Sequence, residues 1–185
     1  DSVVEFTETT SNLHHKDFFA SIDKMIAPLT DEEFKQLQPD ILITFGGLII
    51  SKKVKAFLRQ YQPKQHWHID ENKANNTFFC LEKHIEVHPN IFFTDFLPKI
   101  THFVKSDYKT YWESIKQMRN KKHDEFTKDA VFSDFKVFDT LLKSLPNDSI
   151  LQVGNSSAVR YVQLFDVNPS VEVFCNRGTS GIDGS

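Results

Sequence analysis

Apolar positions along this chain repeat with two periods, one near 3.6 residues and one of two, and their alternation sets out the expected elements. Residues 3–7 read as a strand. After the polar Thr9-Thr10-Ser11-Asn12 loop, Phe18, Phe19, Ile22 and Ile26 fall on one face of a helix expected over residues 15–26. Thr30-Asp31-Glu32-Glu33 fits a capping box, with Thr at the cap and Glu three residues on, and predicts a short helix over 31–38 that Pro39 ends. The continuous apolar run 41–45 predicts a strand buried on both faces. It runs into Gly46-Gly47 and a helix over 51–60, and residues 65–69 give the next strand. Leu81, Ile85 and Val87, with Lys83 as the exception, alternate with Glu82, His84, Glu86 and His88, which predicts a strand at or near a sheet edge over 81–88. Residues 91–100 fit neither period cleanly, and Pro98 would end a helix there.

Tyr111, Trp112, Ile115 and Met118 recur at helical spacing and predict a helix over 107–122. Its basic end, residues 119–122, complements the macrodipole. The polar residues 121–127 are the candidate linker. A second helix is expected over 129–145, with Phe132, Phe135, Phe138, Leu142 and Leu145 inside. The Pro146-Asn147-Asp148 turn then leads to a strand over 149–153, a Gly-Asn turn, a helix beginning at Asn155 or Ser156, and a strand over 171–175. A strand-helix-strand unit of this length makes its two strands parallel. Strands alternating with helices define an α/β fold with a mostly parallel sheet and helices on both faces.

Composition narrows the function classes. The 185 residues suffice for one core, or for one domain and part of another. Eighteen Phe mean that much of the core is aromatic. A net charge of −3 and a pI near 6.2, with no stripe of Lys and Arg, exclude nucleic acid as the main partner. The longest apolar run, residues 41–50, is too short to span a bilayer and is broken by the glycine pair. No signal-peptide pattern is read at the start, and two cysteines suit a reducing cytoplasm better than a disulfide framework.

Candidate chemistry concentrates at the carboxyl edge of the C-terminal strands, where open α/β sheets bind ligands. Asn155 and Ser156 are preferred helix caps, and Arg160, four residues beyond Ser156, faces the same side. After Lys143 the only basic residues are Arg160 and Arg177, and both fall at this edge. Capping side chains and solvated arginines would explain each residue singly; their coincidence favours a site for carboxylates or phosphates. A second place is the strand-Gly-Gly-helix step, where Lys52 and Lys53 open a helix. Gly46-Gly47 lacks the G-x-G-x-x-G spacing of a dinucleotide site, and Asp70 alone does not restore it. His66, His68 and Asp70 alternate onto one face, but a single strand gives too little convergence for a metal. Cys80, His84 and His88 would share a helical face as zinc ligands, yet on a strand they spread apart. No metal site is therefore expected.

The run Gly154-Asn155-Ser156 with Arg160, followed by Asn176-Arg177-Gly178-Thr179-Ser180-Gly181-Ile182-Asp183-Gly184, resembles the start of the diphosphate-binding domain of the 2-succinyl-5-enolpyruvyl-6-hydroxy-3-cyclohexene-1-carboxylate synthases. These are thiamine-diphosphate-dependent enzymes of menaquinone biosynthesis. The resemblance is close over residues 149–184 and looser over 40–70. It implies a Rossmann-like middle domain over residues 1–125 and the truncated beginning of the diphosphate-binding domain over 126–185. It implies a transferase that, with thiamine diphosphate and Mg2+, decarboxylates 2-oxoglutarate and adds the resulting succinyl carbanion to isochorismate. Ser156, Arg160 and Arg177 would then hold substrate carboxylates, Lys52 and Lys53 would add charge from the middle domain, and Ile182 would support the cofactor. The family's second basic residue is Arg where this chain has Lys53, which lacks the bidentate fork. No catalytic residue and no metal ligand of the family falls in this span. The chain reads as a fragment, inactive and cofactor-free by itself, of a cytoplasmic homo-oligomer, dimer or tetramer, with no nucleic-acid partner. Two other classes stay open from the residues alone: a nucleotide-binding Rossmann-like module, and a structural or oligomerisation domain without catalysis.

Overall fold

The structure, a computed structural model, describes residues 2–102 and 104–176. The chain is an α/β protein of Rossmann-like character whose strands lie in two parallel sheets. It forms two compact units, one of Pro28–Ser106 and the other of Asp1–Ala27 with Asp107–Ser185.

In the first unit the elements run α1 (Asp31–Leu37), β1 (Ile41–Phe45), α2 (Lys52–Gln60), β2 (Gln65–Ile69), β3 (Leu81–Ile85) and α3 (Pro89–Phe96). The capping box forms as expected. Thr30 Oγ1 accepts from the Glu33 amide at 3.3 Å, and Glu33 Oε2 accepts from the Thr30 amide at 2.8 Å. Strand order is β1-β2-β3, all parallel, with Ile41 level with Gln65 and Phe45 level with Ile69. β2 is therefore central, and β3 lies on an edge as its alternation predicts. The expectation that β1 is buried on both faces fails, since Ile41 is 50% and Phe45 45% exposed. An apolar run records hydrophobicity but not position, and β1 is the other edge strand. The core is built where α2 packs Val54, Phe57 and Leu58 inward, and Phe34 of α1 stacks on Phe57 at 5.2 Å between ring centroids. β3 stops at Ile85, short of the expected 88, because His88 caps α3: its Nδ1 accepts from the Asn90 amide, with Pro89 in the first helical position.

The second unit contains α4 (Ile22–Ile26), α5 (Tyr108–Asp129), α6 (Asp134–Lys143), β4 (Ile150–Val153), α7 (Ser157–Val162) and β5 (Glu172–Cys175). Two sequence expectations change at its N-terminus. Residues 3–7 make only a single parallel bridge, Phe6 to Phe19, and the helix expected over 15–26 is confined to its last five residues. Ser21 adopts φ 53, and its hydroxyl bonds Asp166 Oδ1 at 3.2 Å and the Phe165 carbonyl at 3.4 Å, so long-range contacts override the local helical period. The candidate linker at 121–127 is instead continuous helix within α5. The break falls at 130–133, which shortens the expected 129–145 helix to α6 and leaves Phe132 89% exposed rather than inside. No helix among the described residues is long and apolar enough to cross a membrane.

β4 and β5 pair in parallel, Ile150 level with Glu172 and Val153 level with Cys175, and the ladder extends one step further through the Asn176 amide to the Val153 carbonyl. Asn12 covers the other edge of β5. Its Oδ1 accepts from the Val173 amide at 2.8 Å, and its Nδ2 donates to the Val173 carbonyl at 3.2 Å. The side chain thus stands in for a neighbouring strand.

Candidate functional site

Parallel pairing brings the carboxyl ends of β4 and β5 level on one edge, and the turn 154–156 leaves from it directly into α7. Ser156 occupies the N-cap position with φ 74 and ψ −124 and is exposed. The expected capping hydrogen bond is absent, because a residue with this backbone lies outside the extended region from which a cap side chain reaches the first-turn amides. A non-glycine residue at such a positive φ stores strain of about 1–3 kcal/mol, and strained positions of this kind cluster at functional sites. α7 anchors itself through Val159 and Val162, each 1% exposed, which fixes the remaining residues of its short turn. Arg160 is half-buried, and its Nε is shut off from solvent without a hydrogen-bond partner among the described residues. Of the sequence-derived residues, Ser156 and Arg160 therefore stand on one short helix at the shared strand edge. Arg177 and Ile182 lie outside the described residues.

In the other unit Lys52 and Lys53 are the first two residues of α2, and both are exposed. The helix is capped by Ser51, whose Oγ accepts from the Val54 amide at 3.0 Å. Its first turn holds no acidic residue. Two cations at the positive end of a helix dipole oppose the usual preference for acids there, so local stability does not account for them. Gly46, at φ 81, makes the turn out of β1 that only glycine adopts freely.

A polar relay that the sequence reading did not assemble crosses the same sheet. Thr44 Oγ1 lies 2.8 Å from His66 Nε2 and 2.8 Å from His68 Nδ1. One hydroxyl proton serves only one acceptor, so one of these rings must donate to Thr44. His66 is 1% exposed, and burial, reinforced by the neighbouring His68, lowers its pKa to about 4. Burial likewise lowers that of His68. Asp70 spends its carboxylate on its own turn, accepting from the Asn72 and Lys73 amides at 2.8 and 3.0 Å, which holds its pKa down. Among the described residues no three His, Cys, Asp or Glu side chains converge as a metal site. The level pairing of Thr44 with His68 across a parallel ladder was the available signal, but it needs the register, which a sequence does not print.

These features define a class: a parallel α/β protein whose C-terminal strand edge presents a strained serine and an arginine on one short helix. No family model matches the chain. Among curated proteins it is 55% identical over 184 residues to the 2-succinyl-5-enolpyruvyl-6-hydroxy-3-cyclohexene-1-carboxylate synthase of Flavobacterium johnsoniae, covering 100% of this chain and 33% of that protein. It is 50% identical over 189 residues to the synthase of the same name from Christiangramia forsetii, with 100% and 33% covered, and 35% identical over 191 residues to that of Porphyromonas gingivalis, with 98% and 33% covered. The chain is homologous, end to end, with a segment of these synthases and spans about a third of their length.

Proposed function

We propose that this chain is the part of a menaquinone-pathway synthase that holds substrate carboxylates, drawn from its middle domain and the start of its diphosphate-binding domain. The observation that carries the reading is the level carboxyl edge of β4 and β5, with Ser156 in a strained backbone and Arg160 one turn along α7. The overall reaction is the decarboxylation of 2-oxoglutarate and transfer of the remaining four-carbon unit to isochorismate, in a cytoplasmic homo-oligomer. Every substrate in it carries carboxylates, which suits guanidinium and ammonium groups as ligands.

Thiamine diphosphate, bound with Mg2+, would supply the nucleophilic carbon and electron sink of that chemistry. The described residues offer no cluster of carboxylates or histidines to seat the metal, so the reading gives the cofactor no contact within them. Ile182, outside the described residues, keeps its assignment beside the cofactor by resemblance alone. What this chain's residues do is bind and orient. Arg160 presents guanidinium N–H groups to a carboxylate and the Ser156 hydroxyl donates to the same anion; Arg177, outside the described residues, keeps its assignment as a second guanidinium by resemblance alone. Lys52 and Lys53, at the start of α2 in the other unit, keep their assignment as substrate ligands by resemblance alone.

The test uses the full-length synthase. Arg160→Ala is expected to lower kcat/KM by about 10- to 100-fold, the 1.5–3 kcal/mol of a lost charge-assisted hydrogen bond, with Tm nearly unchanged. Normal kinetics with a lowered Tm would leave Arg160 a packing residue and overturn the reading. The 185-residue chain alone is expected to form no product from the two substrates, and measured turnover by it would contradict the division of labour proposed here.

A further inference from the structure

Gln163 directly follows α7 as its C-terminal cap and is 0% exposed, yet among the described residues neither its Oε1 nor its Nε2 has a hydrogen-bond partner. Leaving both ends of a buried amide unpaired destabilises a fold, and an apolar side chain of similar shape would avoid the cost. Stability therefore does not select glutamine here. One turn earlier, Arg160 has the complementary deficiency: a buried Nε–H with no acceptor among the described residues. Residues three apart on a helix are surface neighbours, so a single turn holds a donor lacking an acceptor and an acceptor lacking a donor.

We propose that Gln163 is a positioning residue for Arg160. Its Oε1 accepts the Arg160 Nε–H after a side-chain rotation and fixes the plane of the guanidinium. The two terminal nitrogens then form the end-on fork that matches a carboxylate. The amide nitrogen of Gln163 is left for an internal water, the usual partner of an isolated buried donor. The proposal rests on the reading of Arg160 as a carboxylate ligand. It adds that the affinity of that arginine depends on a side chain that never touches substrate.

The experiment compares Gln163→Leu, Gln163→Glu, Arg160→Ala and the double variant Gln163→Leu/Arg160→Ala in the full-length synthase, measuring kcat, KM for 2-oxoglutarate and isochorismate, and Tm. Gln163→Leu is expected to raise KM for the substrate that Arg160 serves by about 5- to 10-fold, the scale of one lost hydrogen bond, with Tm unchanged or higher. Gln163→Glu keeps the acceptor and should return KM to near the parent value. In the Arg160→Ala background, Gln163→Leu should cost nothing more. If Leu proves too short to fill the site and the protein melts early, Gln163→Met preserves the length without the acceptor and carries the same expectation. An unchanged KM in Gln163→Leu or Gln163→Met alongside a damaged Arg160→Ala overturns this proposal alone. Normal kinetics in Arg160→Ala overturns the underlying reading, and this proposal with it.

Discussion

Asn12 offers a sharp test of how the C-terminal sheet is held, because its backbone and its side chain make separable contributions. It sits at φ 53 and ψ 29, a left-handed conformation that asparagine tolerates better than other residues with a side chain. From there its amide occupies both the N–H and the C=O of Val173. Asn12→Gly keeps the backbone conformation and removes both hydrogen bonds, for an expected loss of about 1.5–4 kcal/mol, since each bond contributes about 0.5–1.5 kcal/mol and the entropy glycine adds to the unfolded chain about 0.5–1 kcal/mol. Asn12→Ala removes the same bonds and adds the left-handed penalty of about 1–2 kcal/mol. Asn12→Asp retains the acceptor for the Val173 N–H but sets a second acceptor against the Val173 carbonyl, and should also destabilise. Urea titration followed by Trp112, which is fully buried in the same unit, gives the measurement, with Trp67→Phe removing the other tryptophan. The midpoint should shift at constant slope, further for Ala than for Gly. Equal midpoints for Gly and Ala would refute the conformational part of the reasoning, and a midpoint for Ala equal to the parent would refute all of it.

Three further outcomes are expected. Ser156→Gly should stabilise the chain by about 0.5–2 kcal/mol, the 1–3 kcal/mol of relieved strain less the entropy glycine adds to the unfolded state, while Ser156→Ala should not; in the full-length enzyme both should raise KM alike, and unequal KM values would show that the hydroxyl is not the group that matters. Lys53→Ala in that enzyme should weaken substrate binding by about 1–3 kcal/mol, whereas Lys53→Arg should be tolerated or bind more tightly, and an unchanged KM in Lys53→Ala would reduce it to a surface lysine. His66 has a folded pKa lowered by burial from 6.5 to about 4, so between those values the unfolded chain binds the proton more readily and stability declines as pH falls. Urea midpoints at pH 7 and pH 5 should therefore differ, and His66→Gln should narrow the difference; an unaltered pH dependence in that variant would place its origin elsewhere.

The sequence carried β1 and β4 well, unlike the strand expected over 3–7, because their boundaries are local: Pro39 before β1, Gly46 after it, and the Pro146-Asn147-Asp148 turn before β4. The capping box at Thr30 was equally readable, since all its partners lie within four residues. What stayed hidden depends on contacts between distant residues. Asn12 reads as a loop residue until Val173 is beside it, and Ser21 reads as helical until Asp166 takes its hydroxyl. Polar residues 121–127 suggested a linker because composition does not distinguish a solvated helix from a solvated loop, and α5 is the former. At the site, Ser156 and Arg160 were visible from spacing. Gln163 was not, because burial of a glutamine leaves no trace in a hydropathy pattern.

Because Val153 and Cys175 are level and the Asn176 amide still reaches the Val153 carbonyl, the number of residues after each strand determines where its side chains arrive. An extended residue advances the chain by about 3.3 Å, more than a hydrogen bond stretches before it is lost. Insertions and deletions should thus be excluded from the turn 154–156, where one residue would carry Ser156 and Arg160 out of the places they hold at the carboxyl edge. The turn at 168–170 is different. Asn168 closes it by accepting from the Ser170 amide and hydroxyl, it is exposed, and it lies at the opposite ends of the strands. There the length is held by side chains instead: Asn168 Nδ2 donates to Asn147 Oδ1 at 2.7 Å, and Ser170 Oγ accepts from the Asp148 amide at 3.1 Å.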